Sequence, residues 1–404
     1  MRNANRWIAG VVSGLLVAGS ALAQDWPQWR GVNRDDKVAD FKAPATWPKE
    51  LTQKWKVTVG TGDSTPALVG DKLYVFARQG GDEVIMCLSA ADGKEVWKEK
   101  YPAPTVGGPA AGHGGPRSSP AVAGGKVVTL GVAGSLRCWD ATSGKLIWKN
   151  EDYKAYPQFF TALSPIIVDG LAIAHLGGGA NAAVVGIDLA SGDVKWKWTG
   201  EPPTYSSPIL MMLDGTKQIL EMTNKSIVGI AVADGKLLWQ APAPTQGRAY
   251  NAATPIVDGQ TIYLTGSGRG TKAVKLEKQG DTFAPKELWT NPTGTQFNTP
   301  VLQNGLLFGI SDKGNLFCID AQDGKTAWSQ PDNLGNFGST VAAGSAIVAL
   351  SAKGDMIVCK PEKTYGELAK YKVSDKGNTY AHPILSGNRI FVKDQDSLIL
   401  WTLE

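Results

Sequence analysis

At positions 318–328 the chain reads CIDAQDGKTAW, and at 138–148 it has already read CWDATSGKLIW. Three more segments take the same form: CLSAADGKEVW ending at Trp97, GIDLASGDVKW at Trp196 and GIAVADGKLLW at Trp239. All five carry a glycine four residues before the tryptophan, namely Gly93, Gly144, Gly192, Gly235 and Gly324. An apolar run, an Asp-Gly or Ser-Gly turn and a short second run describe a β-hairpin whose glycine supplies the positive φ of the turn. A copy with a longer loop ends at Trp289, another puts Tyr371 in the tryptophan slot, and LTQKWKV around Trp55 gives an eighth signal.

Upstream of each hairpin lies a second recurring phrase: a small or hydroxyl residue, proline, an apolar pair and a glycine turn. Examples are STPALVGDKLYVFA, SSPAVAGGKVVTLG, ATPIVDGQTIYLTG and AHPILSGNRIFVKD. Two strands from each phrase make four per unit. The aromatic slots recur every 39 to 51 residues, the period of a four-stranded propeller blade. The last unit supplies only three strands before Glu404, and LTQKWKV near the N-terminus supplies the missing outer one. The spacing therefore predicts an all-β, eight-bladed β-propeller of four-stranded antiparallel blades over residues 51–404, closed by pairing of the two chain ends, with an arm at 24–50 holding DWPQWRG. Closure removes open sheet edges. In such a ring Trp55, Trp97, Trp148, Trp196, Trp239, Trp289 and Trp328 are expected to dock blade on blade, a large ring filling the widening wedge between sheets. Trp26, in the arm, is expected to matter less than Trp148.

The first 23 residues place Arg2 and Arg6 before an apolar core and end on Ala21-Leu22-Ala23, the form of a cleaved secretory signal. The apolar run is shorter than the roughly 20 residues of a spanning helix, and no transmembrane segment is expected elsewhere. No cysteine precedes Cys87, so no lipidated N-terminus is expected, and the periplasm or the medium is the expected location. The formal charge is +4; without Arg2 and Arg6 the 41 basic residues fall to 39 against 37 acidic ones. So small a balance points to neither nucleic acid nor an anionic membrane. A monomer is expected.

Cys87, Cys138 and Cys318 each stand ten residues before their tryptophan, and Cys359 fills the matching slot of the seventh unit. Equivalent slots in neighbouring blades lie on the order of 10 Å apart or more, beyond the Cα separation of about 7 Å that a disulfide tolerates. Four free thiols and no metal site are expected. The three histidines are His113, His175 and His382, and no H-E-x-x-H, paired CxxC or G-x-S-x-G occurs. Zinc hydrolysis, thiol redox and nucleophile-elbow chemistry thus have no motif, and no catalytic residue can be assigned. GSGRG at 266–270 reads as a hairpin tip rather than a phosphate cradle. Asp140, Asp188 and Asp320 read as caps of turn backbone groups.

The repeated xDxxxGKxxW pattern with Ser/Thr-Pro before each inner strand resembles the PQQ-like propeller repeat. That repeat occurs in pyrroloquinoline-quinone alcohol dehydrogenases and in the scaffold lipoprotein of the outer-membrane β-barrel assembly machine. DWPQWRG, GHGGPRSSPAV and TYGELAKY look particularly like a group of exported bacterial members. The resemblance covers the chain from about Asp25 to its end and is specific for fold, not for function. It implies, for a quinone enzyme, PQQ with calcium, a vicinal disulfide and an aspartate base. This chain has no Cys-Cys pair and no position that matches the aspartate, so no cofactor is expected. The resemblance to the scaffold implies a non-catalytic protein that binds an envelope protein or a small ligand on one loop face. A PQQ-dependent dehydrogenase is the alternative, followed by carbohydrate binding or lyase activity.

That face is formed by the loops leading into each Ser/Thr-Pro phrase. Its candidate binding residues are Asp63, His113, Arg117, Tyr205, Arg248, Asn251, Gln296, Asn298, Tyr380 and His382, with Phe160 and Asn336 in the same loops. Either they bind a ligand or they seal the funnel as turn residues. Arg117 and Arg248, three blades apart, are the guanidinium donors suited to an anionic or carbonyl-rich group. The Gly/Pro-rich loop at 98–119 is expected to act as a flap.

Overall fold

Each Ser/Thr-Pro phrase forms a short innermost strand and each tryptophan lies on an outer strand, so that every repeat becomes one antiparallel sheet. The computed structural model describes residues 24–38, 41, 43–153, 155–243, 251–280, 282–331 and 333–404. The signal read from residues 1–23 lies outside them. Eight sheets form an eight-bladed β-propeller. Helix among the described residues is confined to 3-10 turns at Gly108–His113 and Gly179–Asn181.

Blade I comprises Ala67–Val69, Lys72–Gln79, Asp82–Ser89 and Glu95–Pro102. Its two middle strands each bury six consecutive side chains, because a blade is packed on both faces. Its outer strand is mostly exposed. Blades II to VII repeat this plan. Blade VIII contains Ile384–Ser386, Arg389–Lys393 and Ser397–Thr402 and takes its outer strand, Thr52–Thr58, from the other end of the chain. Thr52 pairs with Thr402 and Lys56 with Ile399 in antiparallel register, so the ring closes as its spacing predicts.

The indoles fasten blade to blade. Trp97 Nε1 donates to Ala141 O of blade II at 3.1 Å, Trp148 to Leu189 O of blade III at 3.0 Å, and Trp196 to Val232 O of blade IV at 2.9 Å. Trp289, Trp328 and Trp55 make the same bond to Ala321, Glu362 and Ala90 of the blades that follow them. Trp239 differs: its Nε1 stays within blade IV, on Gln218 Oε1 at 2.6 Å. Directly across the strand from each of these indoles except Trp55, which faces Leu400, is a small residue, such as Cys87 opposite Trp97 and Gly186 opposite Trp196. A Cβ on Gly186 would collide with the Trp196 ring. The four cysteines are buried and unpaired, and burial raises the Cys138, Cys318 and Cys359 thiols to about 12. Asp140 Oδ1 accepts from the Thr142 and Ser143 amides, and Asp188 and Asp320 cap their turns likewise.

The arm is not the peripheral strap that its position suggests. Trp26 is 2% exposed and its backbone N–H and C=O pair with Leu68 of blade I at 2.8 Å. Pro27 O accepts from Val122 of blade II. Arg34 reaches Pro165 O and Ser164 O of blade III, each at 2.9 Å, while Arg30 reaches Pro300 O of blade VI at 3.0 Å. Lys37–Val38 runs parallel to the inner strand of blade VII. Asp36, fully buried, joins Arg30 in an ion pair and meets His382 Nδ1 of blade VIII at 2.9 Å. Residues 26–38 therefore span the central channel, with side chains as spokes to the innermost strands. Burial pushes the Arg34 guanidinium down to about 9, assisted by Arg30 and opposed by Glu221. Burial alone would raise Asp36, but Arg30 and His382 hold it below its usual range.

The cavity at the channel mouth

The residue just before each proline slot builds a hydroxyl girdle around the channel. Thr65 N donates to Ser119 Oγ, Ser119 N to Ser164 Oγ, Ser164 N to Ser207 Oγ, Ser207 N to Thr254 Oγ1 and Thr254 N to Thr299 Oγ1, all at 2.9 Å. His382 N joins the series by donating to Thr65 Oγ1 at 2.9 Å, so that it runs from blade VIII round to blade VI, while the Thr340 hydroxyl of blade VII donates to Phe308 O instead. Each accepting hydroxyl in the series thus satisfies an amide of the neighbouring innermost strand. In blade VIII a histidine replaces the hydroxyl residue and turns to Asp36 of the arm.

Two positions earlier, the third residue before the proline slot points into the mouth. Reading round the ring gives Asp63, Arg117, Ala162, Tyr205, Ala252, Phe297, Gly338 and Tyr380. All but Gly338 line one cavity of about 310 Å³. Small residues in blades III, V and VII alternate with large ones in II, IV, VI and VIII, which leaves room beside Tyr205 over Ala162 and Ala252. Trp29 of the arm also lines the cavity and meets His382 edge to face at 5.9 Å. Arg30 and Arg34 flank its indole at 5.4 and 5.3 Å.

Seven of the ten candidate residues come together here: Asp63, His113, Arg117, Tyr205, Asn298, Tyr380 and His382. His113 Nδ1 lies 2.7 Å from Asp63 Oδ2 and its ring abuts Tyr380 at 4.9 Å. Tyr205 OH accepts from Phe159 N at 3.2 Å. Asn298 Nδ2 donates to Ile310 O at 3.0 Å. Asn251 is buried outside the lining, where Nδ2 ties Thr223 O and Ala243 O. Gln296 accepts from Asn336 on the rim. Phe160 stacks on Tyr156 at 4.7 Å, away from the cavity. Arg248 lies outside the described residues.

The loop expected to be a flap is tied down. Its first residues continue the outer strand Glu95–Pro102, and Arg78 clamps the rest by donating to Ala103 O, Pro104 O and Gly114 O. The Asp63 and Ser64 amides add bonds to Pro116 O.

Trp29, Phe159, Phe297 and Phe337 were missed by sequence reasoning. Phe297 stands at the same third position as Tyr205 and Tyr380, so aligning the repeats on proline rather than on tryptophan finds it. Trp29 belongs to no repeat and carries no such signal.

Electrostatically the mouth is close to balanced. The hydrogen bond to the Asp63 carboxylate raises His113 above its usual value, and burial lowers Arg117. Behind Asp63, buried Lys393 donates to Gly62 O, and burial pushes its ammonium down to about 8. Among the described residues no three His, Cys, Asp or Glu side chains are grouped to hold a metal ion. The four cysteines lie in separate sheets. The arrangement is a receptacle: ring walls, a few convergent polar groups, and a floor supplied by the arm.

A family profile described as "Outer membrane protein assembly factor BamB" matches residues 46–197 and 81–330. The outer membrane protein assembly factor BamB of Burkholderia pseudomallei is 24% identical over 361 residues, 86% of each chain. Among solved structures, BamB from Moraxella catarrhalis superposes with a TM-score of 0.65 at 16% identity, covering 87% of this chain and 99% of that one. The quinohemoprotein alcohol dehydrogenase of Comamonas testosteroni gives 0.70 at 14% identity, covering 96% and 81%. At such identities the structural likeness shows the propeller and nothing more.

Proposed function

Because the chain belongs to the family described as outer membrane protein assembly factor BamB, we propose that it is an exported, non-catalytic scaffold that binds an envelope protein partner at its channel mouth. The observation that carries this reading is the convergence of the loops of all eight blades and one arm residue on a single ring-walled cavity. Such a site holds a partner by shape and burial, and no bond-making group is required of it. The relatives are named for the assembly of outer membrane proteins. A periplasmic location suits this chain, in which no described helix is long and apolar enough to cross a membrane.

The reading is tested by placing a photo-crosslinking residue at Gln296 or Asn336 on the rim and, as controls, at Val194 or Leu368, exposed on outer strands. Irradiation in the native envelope should give a discrete adduct from the rim positions only. Adducts from the outer-strand positions alone would remove the channel mouth as the binding face.

A further inference from the structure

The innermost strand of blade IV is built unlike its neighbours. Those of blades I, II, III, V, VI and VIII have three residues each, whereas Ile209–Leu213 has five, ILMML, with no charge and no proline. The added length carries this hairpin farther out at the end of the channel opposite the mouth. It turns there through Asp214 and Gly215, whose positive φ suits a two-residue loop. Leu210 is 37% exposed and Met212 57%. Ion pairs from Lys217 to Asp169 of blade III and from Asp214 to Lys278 of blade V brace the tip.

The backbone of this strand has an open edge. In a two-residue hairpin the residues that close the turn exchange both main-chain bonds with the partner strand, and the alternate residues face away from it. Leu213 closes on Thr216, so Ile209, Met211 and Leu213 bond to the second strand, while the N–H and C=O of Leu210 and Met212 face the channel. The same parity turns Leu68, Val122 and Ala342 inward, and the arm bonds all three: Leu68 to Trp26, Val122 to Pro27 O and Ala342 to Asp36 O. The arm also reaches blade III, through Arg34. On the next blade round, Leu210 and Met212 have no main-chain partner on that side among the described residues. Proteins ordinarily break an open apolar edge with a charge, a proline or a bulge, because it is a template for pairing; this strand carries none of the three.

We propose that the inner edge of blade IV takes an extended, uncharged segment of a protein partner as an added strand, bonded to the N–H and C=O of Leu210 and Met212. Blade VII shows the fit: its innermost strand, Gly338–Ala343, is the other long one, and it takes Lys37–Val38 of the arm as a fifth strand. The edge of blade IV continues that arm-lined surface. Main-chain bonds supply the affinity in such an addition, and side chains the choice of sequence. The exposed Leu210 and Met212 side chains favour aliphatic and β-branched residues in the segment and oppose charge. The site lies at the other end of the channel from the mouth and is independent of what binds there.

The probe is the peptide acetyl-SVTITVS amide, added to the full chain while amide exchange is followed residue by residue by NMR. Without peptide the Leu210 and Met212 amides should exchange rapidly. With it they should slow about tenfold or more, while those of Ile209, Met211 and Leu213, already bonded within the blade, should not change. The fully N-methylated peptide, which cannot donate, should have no effect. Met212→Lys, at an exposed side chain, should abolish the slowing at Leu210 without changing the melting temperature. Met212→Pro deletes an N–H that the blade itself does not use and should act likewise; Leu210→Lys replaces it if the proline lowers the melting temperature. No slowing in the unaltered chain, equal slowing across Ile209–Leu213, an equal effect of the N-methylated peptide, or slowing retained in the folded variants would each overturn the proposal. Protection of both amides in the free chain that rises with protein concentration would assign the edge to a second copy and overturn it too. Crosslinking from Gln296 and Asn336 should be the same in Met212→Lys as in the unaltered chain, so the strand site can fail while the reading of the mouth stands.

Discussion

Gly144 of blade II lies against the indole of Trp97 of blade I: a Cβ on Gly144 would come within 2.6 Å of Trp97 Cε3. Glycine and tryptophan stand four residues apart in five repeats, yet the glycine serves the tryptophan of the preceding repeat. Gly93 meets Trp55, Gly192 meets Trp148, Gly235 meets Trp196 and Gly324 meets Trp289 in the same way. Blade V has Pro285 at that slot, and Trp239 of the preceding blade is the one that bonds within its own blade instead.

The contact separates two roles of glycine. Gly144 and Gly80 both have positive φ, +74° and +61°, but nothing lies within 4 Å of a Cβ on Gly80. Gly80→Ala should cost about 1 kcal/mol for the left-handed backbone alone, and Gly144→Ala about 3 kcal/mol because the indole must also move. Chemical denaturation of the two variants measures the difference, and equal losses would mean that the blades do not touch there.

Trp26→Ala should destabilise as much as Trp148→Ala, about 3 to 5 kcal/mol. The arm tryptophan is the more buried of the two, 2% against 8% exposed. Deleting residues 24–50 should therefore lower stability well before the closing strand Thr52–Thr58 is reached, as thermal melting of the truncated chain will report.

Removing one member of the Arg30–Asp36 pair leaves a charge buried in the channel. Asp36→Ala should cost about 3 to 5 kcal/mol, and Arg30→Met combined with Asp36→Leu should cost less than Asp36→Ala alone. Denaturant midpoints of the two variants decide this. A double variant worse than the single one would assign Asp36 a role beyond the pair, through His382.

His113 makes the mouth loop sensitive to pH. Its pKa is raised in the folded protein from an ordinary value of 6.5, chiefly by its hydrogen bond to Asp63. The stabilisation is therefore complete below about 6.5 and is lost as pH rises through the folded-state value. Asp63 and Arg117 are the charged groups that act on it. Amide exchange in residues 106–114 should accelerate across that window beyond the intrinsic pH effect, and His113→Gln should exchange at the faster limit throughout.

The period of the repeat, the number of blades and the ring closure were legible because each depends on local hairpin chemistry repeated eight times, and a strand missing at one end must be found at the other. The cavity was legible in outline, since seven of ten candidate residues line it. Asn251 misled because its amide, next to the proline phrase, turns inward to hold backbone carbonyls. The arm was not legible. DWPQWRG has no period, and nothing local in it distinguishes a surface strap from a plug whose arginines bond carbonyls some 130 and 270 residues away.

The claim that the channel mouth is the binding face is tested most directly by hydrogen–deuterium exchange of the purified chain with and without the partner identified by rim crosslinking. Protection should concentrate in segments 61–65, 103–119, 203–207, 295–299 and 336–340, with outer strands such as Val194–Trp198 and Glu367–Lys372 unchanged. Protection of those outer strands with an unaltered mouth would contradict the account.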